Sequence, residues 1–239
     1  MNQTKDSKPK KTAENFQCKF ENIVVKPLQE LSTFFHQFID KPRVIGALTP
    51  SSPFLGKAIA RRMRREIKAN RRLLEIGAGT GVVTKLLIHE LNPGDHLDVI
   101  ECVPDLIPKL RAIIDSSGKS SQVTLHELLI EDFHPPKKYD QVISGLPLTM
   151  FPPEQVVAFY SKLENELLEK EGLFTYYEYL ALPELRLCYY TLCRKIKPDN
   201  YTHLRKILKT KNSFLKEKQV ESDTVWFNIT PLRVIHVRQ

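Results

Sequence analysis

Leu73-Leu74-Glu75-Ile76-Gly77-Ala78-Gly79-Thr80-Gly81-Val82 is the stretch on which the reading of the whole chain turns. Residues 73–76 suit a buried strand that carries one carboxylate, and three alternate glycines then lead into residues 82–91, whose apolar side chains recur at helical spacing. A strand that turns through glycines into a helix lets backbone amides approach a ligand where a Cβ would collide. It also points the free N–H groups of the helix start at that ligand.

The same alternation continues downstream. Short apolar runs at 97–101, 123–125, 141–144 and 173–179 are separated by helical patterns at 106–114 and about 154–168, the last closed by Gly172. Strands alternating with helices specify βαβ units and a parallel sheet. Residues 225–227 and 234–237, joined by the turn-like Asn228-Ile229-Thr230-Pro231, predict a terminal antiparallel hairpin. The expected fold class is therefore α/β: a seven-stranded, mostly parallel sheet with a C-terminal antiparallel hairpin and helices on both faces.

Upstream, residues 1–15 carry Lys5, Lys8, Lys10 and Lys11 with almost nothing apolar, and they read as a disordered basic tail. Residues 16–239 then form one domain. Within it, Leu31, Phe34, Phe35, Phe38 and Ile39 make the apolar face of an amphipathic helix over 28–40, which Pro42 ends. A second helix starts after Ser51-Ser52-Pro53 and runs to about 69, and a helical insertion occupies about 183–208.

The net charge of +8 makes a polyanionic partner plausible, either nucleic acid or an anionic bilayer surface. Cys18, Cys102, Cys188 and Cys193 lack the paired spacing that zinc requires, so no metal site is expected and a reducing cytosol is the natural setting. No secretory signal and no run long enough to span a bilayer is seen, so membrane contact would be peripheral.

The spacing of the glycines narrows the ligand. A dinucleotide fingerprint would place its third glycine at Val82, whereas Gly77-x-Gly79-x-Gly81 resembles the GxGxG form of class I S-adenosylmethionine-dependent methyltransferases. Glu75, Gly77, Ala78, Gly79, Thr80 and Gly81 are the first candidates for holding that cofactor. About twenty residues on, Glu101 ends the next strand, where a carboxylate can accept from ribose hydroxyls, with Cys102 beside it. Glu127 is placed to accept from the adenine amino group while Leu128 packs on the ring. Pro50, Ser51 and Ser52, at a helix start, suit the methionine carboxylate.

After the fourth strand, Ser144, Gly145, Leu146 and Pro147 stand where amino-methylating enzymes carry a loop that points oxygens at the nucleophilic nitrogen, with Ser144 also touching the cofactor. Tyr177 and Tyr179 share one face of the fifth strand and are the candidates for holding a cationic substrate group, ahead of Glu178. Arg61, Arg62, Arg64, Arg65, Lys68, Arg71 and Arg72 form a basic run that could sit against lipid phosphates.

The chain resembles the bacterial phospholipid N-methyltransferases, themselves similar to ribosomal RNA adenine dimethyltransferases. The resemblance rests on Phe34-Phe35, on Pro42 through Ser52, on residues 74–84 and 143–148, and on Trp226-Phe227-Asn228 with Pro231. It departs at Ile229-Thr230-Pro231-Leu232, where such enzymes tend to show Pro-Pro-Ala. It implies stepwise methylation of phosphatidylethanolamine toward phosphatidylcholine by a monomeric enzyme, held peripherally on the inner face of the cytoplasmic membrane by the helix at 28–40. The alternative is an RNA adenine methyltransferase; Ser144-Gly145-Leu146-Pro147 in place of Asn-Leu-Pro-aromatic counts against it.

Overall fold

The computed structural model describes residues 53–63, 68–179, 191, 198–226 and 232–239. The basic tail, the helix expected at 28–40, Pro50 to Ser52, most of the insertion at 183–197 and the turn at 227–231 lie outside the described residues. In chain order the elements are α1 (Pro53–Met63), β1 (Arg72–Ile76), α2 (Val82–His89), β2 (His96–Ile100), α3 (Ile107–Asp115), β3 (Val123–His126), β4 (Tyr139–Ser144), α4 (Pro153–Lys162), β5 (Leu168–Tyr179), α5 (Pro198–Leu215), β6 (Gln219–Val225) and β7 (Leu232–Arg238).

The strands form one sheet in the order β3-β2-β1-β4-β5-β7-β6. β1 to β5 pair in parallel, and β7 is antiparallel to both β5 and β6, as the expected hairpin requires. Because the chain runs outward from β1 through β2 to β3 and then returns to β4 on the other side, the carboxyl ends of β1 and β4 diverge into different loops. A crevice opens at that switch point.

Each strand has a period of two, so it feeds two cores. Leu74, Ile76, Val142, Phe174, Tyr176 and Ile235 pack with Val156, Phe159 and Tyr160 of α4 and with Ile207 and Phe214 of α5. On the opposite face Leu73, Leu97, Val99, Ile143 and Val234 pack with Leu55 and Ile59 of α1, Val83 and Leu87 of α2, and Leu110 and Ile114 of α3. Burial on both faces is why these strands read as nearly continuous apolar runs.

The structure departs from the sequence-based expectation in three places. β6 occupies Gln219–Val225, ahead of the expected 225–227, because it is an edge strand whose exposed faces carry Gln219, Glu221, Ser222 and Thr224. The helix expected over about 154–168 is present as α4 and a π-turn at Leu163–Leu167, but β5 begins at Leu168, ahead of the expected 173, so Gly172 lies within a strand and does not close the helix. The helix expected to end near 208 runs on as α5 to Leu215.

The basic run is not a free stripe. Arg71 is buried and ion-paired to Asp95 at 2.6 Å, and its Nη1 donates to the Met63 carbonyl at 2.9 Å. Burial alone would raise the Asp95 carboxyl, but hydrogen bonds from Arg71 and Asn92 hold it below its ordinary value. Arg62 bonds Glu221 at 2.9 Å, Lys68 pairs with Asp140, and Arg72 donates to the Lys137 carbonyl at 2.6 Å. These cations brace the lower half of the fold. No helix among the described residues is long and apolar enough to cross a membrane.

Candidate functional site

The crevice is laced by backbone. Gly77 N–H donates to the Ile100 carbonyl at 2.9 Å, Glu101 N–H to the His126 carbonyl at 3.1 Å, and Gly145 N–H to the Ile76 carbonyl at 2.8 Å. The loops after β1, β2, β3 and β4 are thus tied into one rim, which presents side chains from four points in the sequence to a common space.

Glu101, 5% exposed, organises one wall. Its Oε1 accepts from Cys102 N–H at 2.9 Å and Val103 N–H at 3.0 Å, and its Oε2 accepts from Gly79 N–H at 2.7 Å. A carboxylate has about four acceptor directions, so one on Oε2 remains for a ligand hydroxyl. Gly79 has φ +58° and no atom within 4 Å of the place where a Cβ would stand, so the backbone bends toward Glu101 and leaves open space above it. An open, side-chain-free bend beside an anchored carboxylate fits a ligand with a sugar and an extended tail.

Beneath the glycine loop lies Glu75, 2% exposed, with Oε2 lacking a partner among the described residues. Burial pushes its carboxyl up to about 8; the nearby Thr84 hydroxyl offsets part of the rise, and the charge of Glu101 adds to it. The Thr84 hydroxyl is itself fully buried without a well-formed hydrogen bond. A buried carboxyl oxygen and a buried hydroxyl without well-formed partners among the described residues leave acceptors that a ligand's amine group could satisfy.

The fourth strand supplies the other wall. Ser144 is fully buried, and its Oγ accepts from Leu146 N–H at 3.3 Å, which folds the loop back on itself. A methyl group on Gly145 would lie 2.6 Å from the Gly77 carbonyl oxygen and 3.1 Å from the Tyr177 hydroxyl. The loops after β1 and β4 therefore touch at Gly145, and the Tyr177 phenol reaches the same point. Leu146 packs close to Gly77, and Pro147 leads into a 3-10 turn at Leu148–Met150.

Glu75, Gly77, Ala78, Gly79, Thr80, Gly81, Glu101, Ser144, Gly145 and Tyr177 are thus gathered at or just beneath the carboxyl ends of β1, β2, β4 and β5. Glu127 follows β3 on the same edge but is exposed and ion-paired to Arg111, with Leu128 half-buried beside it. Cys102 contributes its amide; its thiol is pushed up to about 11 by burial and by Glu101, so it is protonated at neutral pH. Tyr179 stands at the end of β5 opposite Leu232, and Glu178 is held by Lys211 at 2.7 Å. Pro50, Ser51 and Ser52 lie outside the described residues. Sequence reasoning missed the Val103 amide and Thr84; the signal for Thr84 was a hydroxyl on the face of α2 that otherwise buries Val83, Leu87 and Ile88.

The sequence pattern of the AdoMet-dependent proline di-methyltransferase family matches residues 44–213. The chain is 29% identical over 156 residues to the ornithine lipid N-methyltransferase of Singulisphaera acidiphila, covering 62% of this chain and 77% of that one. Among solved structures it is similar to an O-methyltransferase from Bacillus cereus in complex with S-adenosylhomocysteine (TM-score 0.59, 11% identity, 94% of this chain and 97% of that chain). It is also similar to the N-methyltransferase NodS from Bradyrhizobium japonicum, likewise in complex with S-adenosylhomocysteine (TM-score 0.53, 16% identity, 79% and 88%). The likeness to the two structures is one of fold: a Rossmann-like methyltransferase sheet.

Proposed function

Since the chain belongs to the AdoMet-dependent proline di-methyltransferase family, we propose that its methyl acceptor is the amine of a membrane lipid, phosphatidylethanolamine and its partly methylated forms. The chain is an S-adenosylmethionine-dependent N-methyltransferase. The bend at Gly77 to Gly81 would hold the amino-acid part of the cofactor and Glu101 its ribose. When bound there, S-adenosylmethionine supplies an electrophilic methyl group on a sulfonium.

The acceptor chemistry falls to the protein. Methyl transfer needs a neutral nitrogen with its lone pair in line, so orientation outweighs strong acid or base chemistry. The observation that carries the reading is the meeting of Gly145, Gly77 and the Tyr177 hydroxyl at one point. Carbonyl oxygens of the Ser144 to Pro147 loop and the phenol can accept N–H bonds from an amine there and aim its lone pair. The ring face of Tyr177 would hold the amine's cationic form before it loses its proton, and Tyr179 follows it at the end of the same strand.

Lipid is favoured as the source of the amine by the ornithine lipid N-methyltransferase relative and by the net charge of +8. The family's own substrate favours a second reading, in which the amine is that of a proline. The test is methyl transfer from labelled S-adenosylmethionine to three acceptors side by side: phosphatidylethanolamine in anionic vesicles, a peptide beginning with proline, and ribosomal RNA. Label in monomethylated and dimethylated lipid is expected. Label in the peptide or the RNA, with none in lipid, would replace the lipid reading.

Gly145→Ala gives a sharper check on the geometry. The added methyl must push the two loops apart by a sizeable fraction of an ångström, and misplacement near 1 Å costs about a hundredfold in rate. Turnover is expected to fall about that much, with the cofactor dissociation constant changed far less. Unaltered turnover would remove the loop from the acceptor site.

A further inference from the structure

We propose that the carboxyl edge of the sheet, at the corner formed by α1 and β6, is the surface that seats this protein on an anionic lipid bilayer, with Trp226 and Phe54 as its interfacial anchors. Trp226 is 65% exposed and Phe54 49% exposed, the two most exposed large hydrophobic side chains among the described residues. Their placement follows from the packing. Arg62, late in α1, bonds Glu221, early in β6, while Leu55 and Val225 share one core. From Arg62 back to Phe54 is about 12 Å of helix, and from Glu221 on to Val225 is about 13 Å of strand. α1 and β6 therefore run antiparallel, and both aromatic residues emerge at the same end.

That end is the site's own. β6 runs parallel to β5 through the intervening β7, and Val225 lies in register with Leu232 and, through it, with Tyr179 at the carboxyl end of β5. The aromatics thus stand at the same carboxyl edge of the sheet as Tyr177 and Gly145. Exposed aromatic rings are costly in water and settle at a headgroup boundary, where an apolar body and a wet surrounding coexist.

The charge at the same edge identifies the surface. α5 descends from this edge, since Lys211 reaches Glu178 near the end of β5 while Phe214 packs on Phe174 farther down. α5 also packs on Leu148–Met150, and it turns Arg205, Lys206 and Lys209 to solvent. Lys57, one turn after Phe54, lies 5.9 Å from that ring and is exposed as well. Aromatic anchors with Lys57 beside them on one face of this edge, and the α5 cations on the other face of the same edge, are what an anionic leaflet lying across that edge recognises, and each near-surface cation strengthens the attraction about fivefold. The run at 61–72, by contrast, is consumed in internal pairs wherever it is described. The proposal rests on the lipid reading for its purpose, but not for its test.

Trp226 is the one tryptophan of the chain, so its fluorescence reports this corner alone. The full-length protein is mixed with vesicles of phosphatidylglycerol and phosphatidylcholine, without cofactor or substrate, and with vesicles of phosphatidylcholine only. The expected result is a blue shift on the anionic vesicles, with quenching by lipids brominated high on the acyl chain. Phe54→Ala should weaken partition about tenfold with the Trp226 signal as reporter. Trp226→Ala, followed by vesicle sedimentation, should do the same, and Lys206→Glu with Lys209→Glu should abolish the preference for anionic lipid; thermal unfolding confirms that each variant is folded. Sedimentation with vesicles while the Trp226 emission stays unchanged would overturn the proposal, because another face would then be docking. A blue shift that depends on protein concentration without vesicles would also overturn it, in favour of a second copy of the chain on this corner. Methylation of phosphatidylethanolamine dispersed in detergent is measured separately: its absence removes the lipid substrate, and its presence alongside failed docking removes only the surface.

Discussion

Glu101→Ala is expected to weaken S-adenosylmethionine binding by roughly two to three orders of magnitude, read as a dissociation constant by calorimetry. Two losses combine. The carboxylate has an acceptor direction free on Oε2 for a ribose hydroxyl, and a hydrogen bond to a charged group contributes about 1.5–3 kcal/mol. Its three present donors, the amides of Gly79, Cys102 and Val103, would also lose their acceptor, and the glycine bend would lose the tie that holds its shape. Glu101→Gln separates these contributions. Its carbonyl oxygen can keep one or two of the backbone bonds while its NH2 group offers a donor where an acceptor is needed, so a loss of about tenfold to a hundredfold is expected. Binding within a few-fold of the unaltered protein in Glu101→Ala would mean that the ribose lies elsewhere.

The parts of this fold that could be read in the sequence are those where burial and backbone geometry impose the same residues. β1, β2 and β4 are buried on both faces, so Leu73 to Ile76, Leu97 to Ile100 and Val142 to Ile143 are apolar except at Glu75 and Asp98, and their positions were legible to within two or three residues. The glycine bend was legible because its conformation excludes side chains. β6 was not legible, since an edge strand needs only one partner and can carry charge on both faces: Val220 and Val225 are the sole apolar residues in its seven. The start of β5 was hidden by Glu169, Lys170 and Glu171, which sit at the open lower end of the sheet before Leu173 enters the core.

The site divides along the same line. Glu101 and Tyr177 follow from counting along strands, because strand ends and side-chain alternation are local properties. That Gly145 abuts Gly77, that Glu178 is held by Lys211 and that Glu127 is held by Arg111 depend on elements far apart in sequence. Single-sequence periodicity carries no information about such pairs. Glu75 is intermediate: its place on a buried strand was legible, while the absence of a counter-charge beneath the loop among the described residues was not.

That absence has a large expected consequence for stability against pH. Burial raises the Glu75 carboxyl to about 8 in the folded protein from about 4.5 in the unfolded chain. The folded state therefore keeps a proton that the unfolded state releases. The resulting contribution to stability is fully present below pH 4.5, declines as pH rises, and is lost by about pH 8, a swing on the order of 5 kcal/mol at 1.36 kcal/mol per pH unit. His236 acts in the opposite sense: burial holds it below 6.5, so its contribution is present above that pH and is lost as pH falls below it. Comparing the unaltered protein with Glu75→Gln cancels His236 and every other group common to both. In chemical denaturation without cofactor at pH 5, 7 and 9, the unaltered protein is expected to lose several kcal/mol relative to the variant, with most of the divergence between pH 5 and 8. Parallel curves would show that Glu75 is ionised and partnered in the folded state, and the glycine bend would then have a counter-charge beneath it before any cofactor arrives.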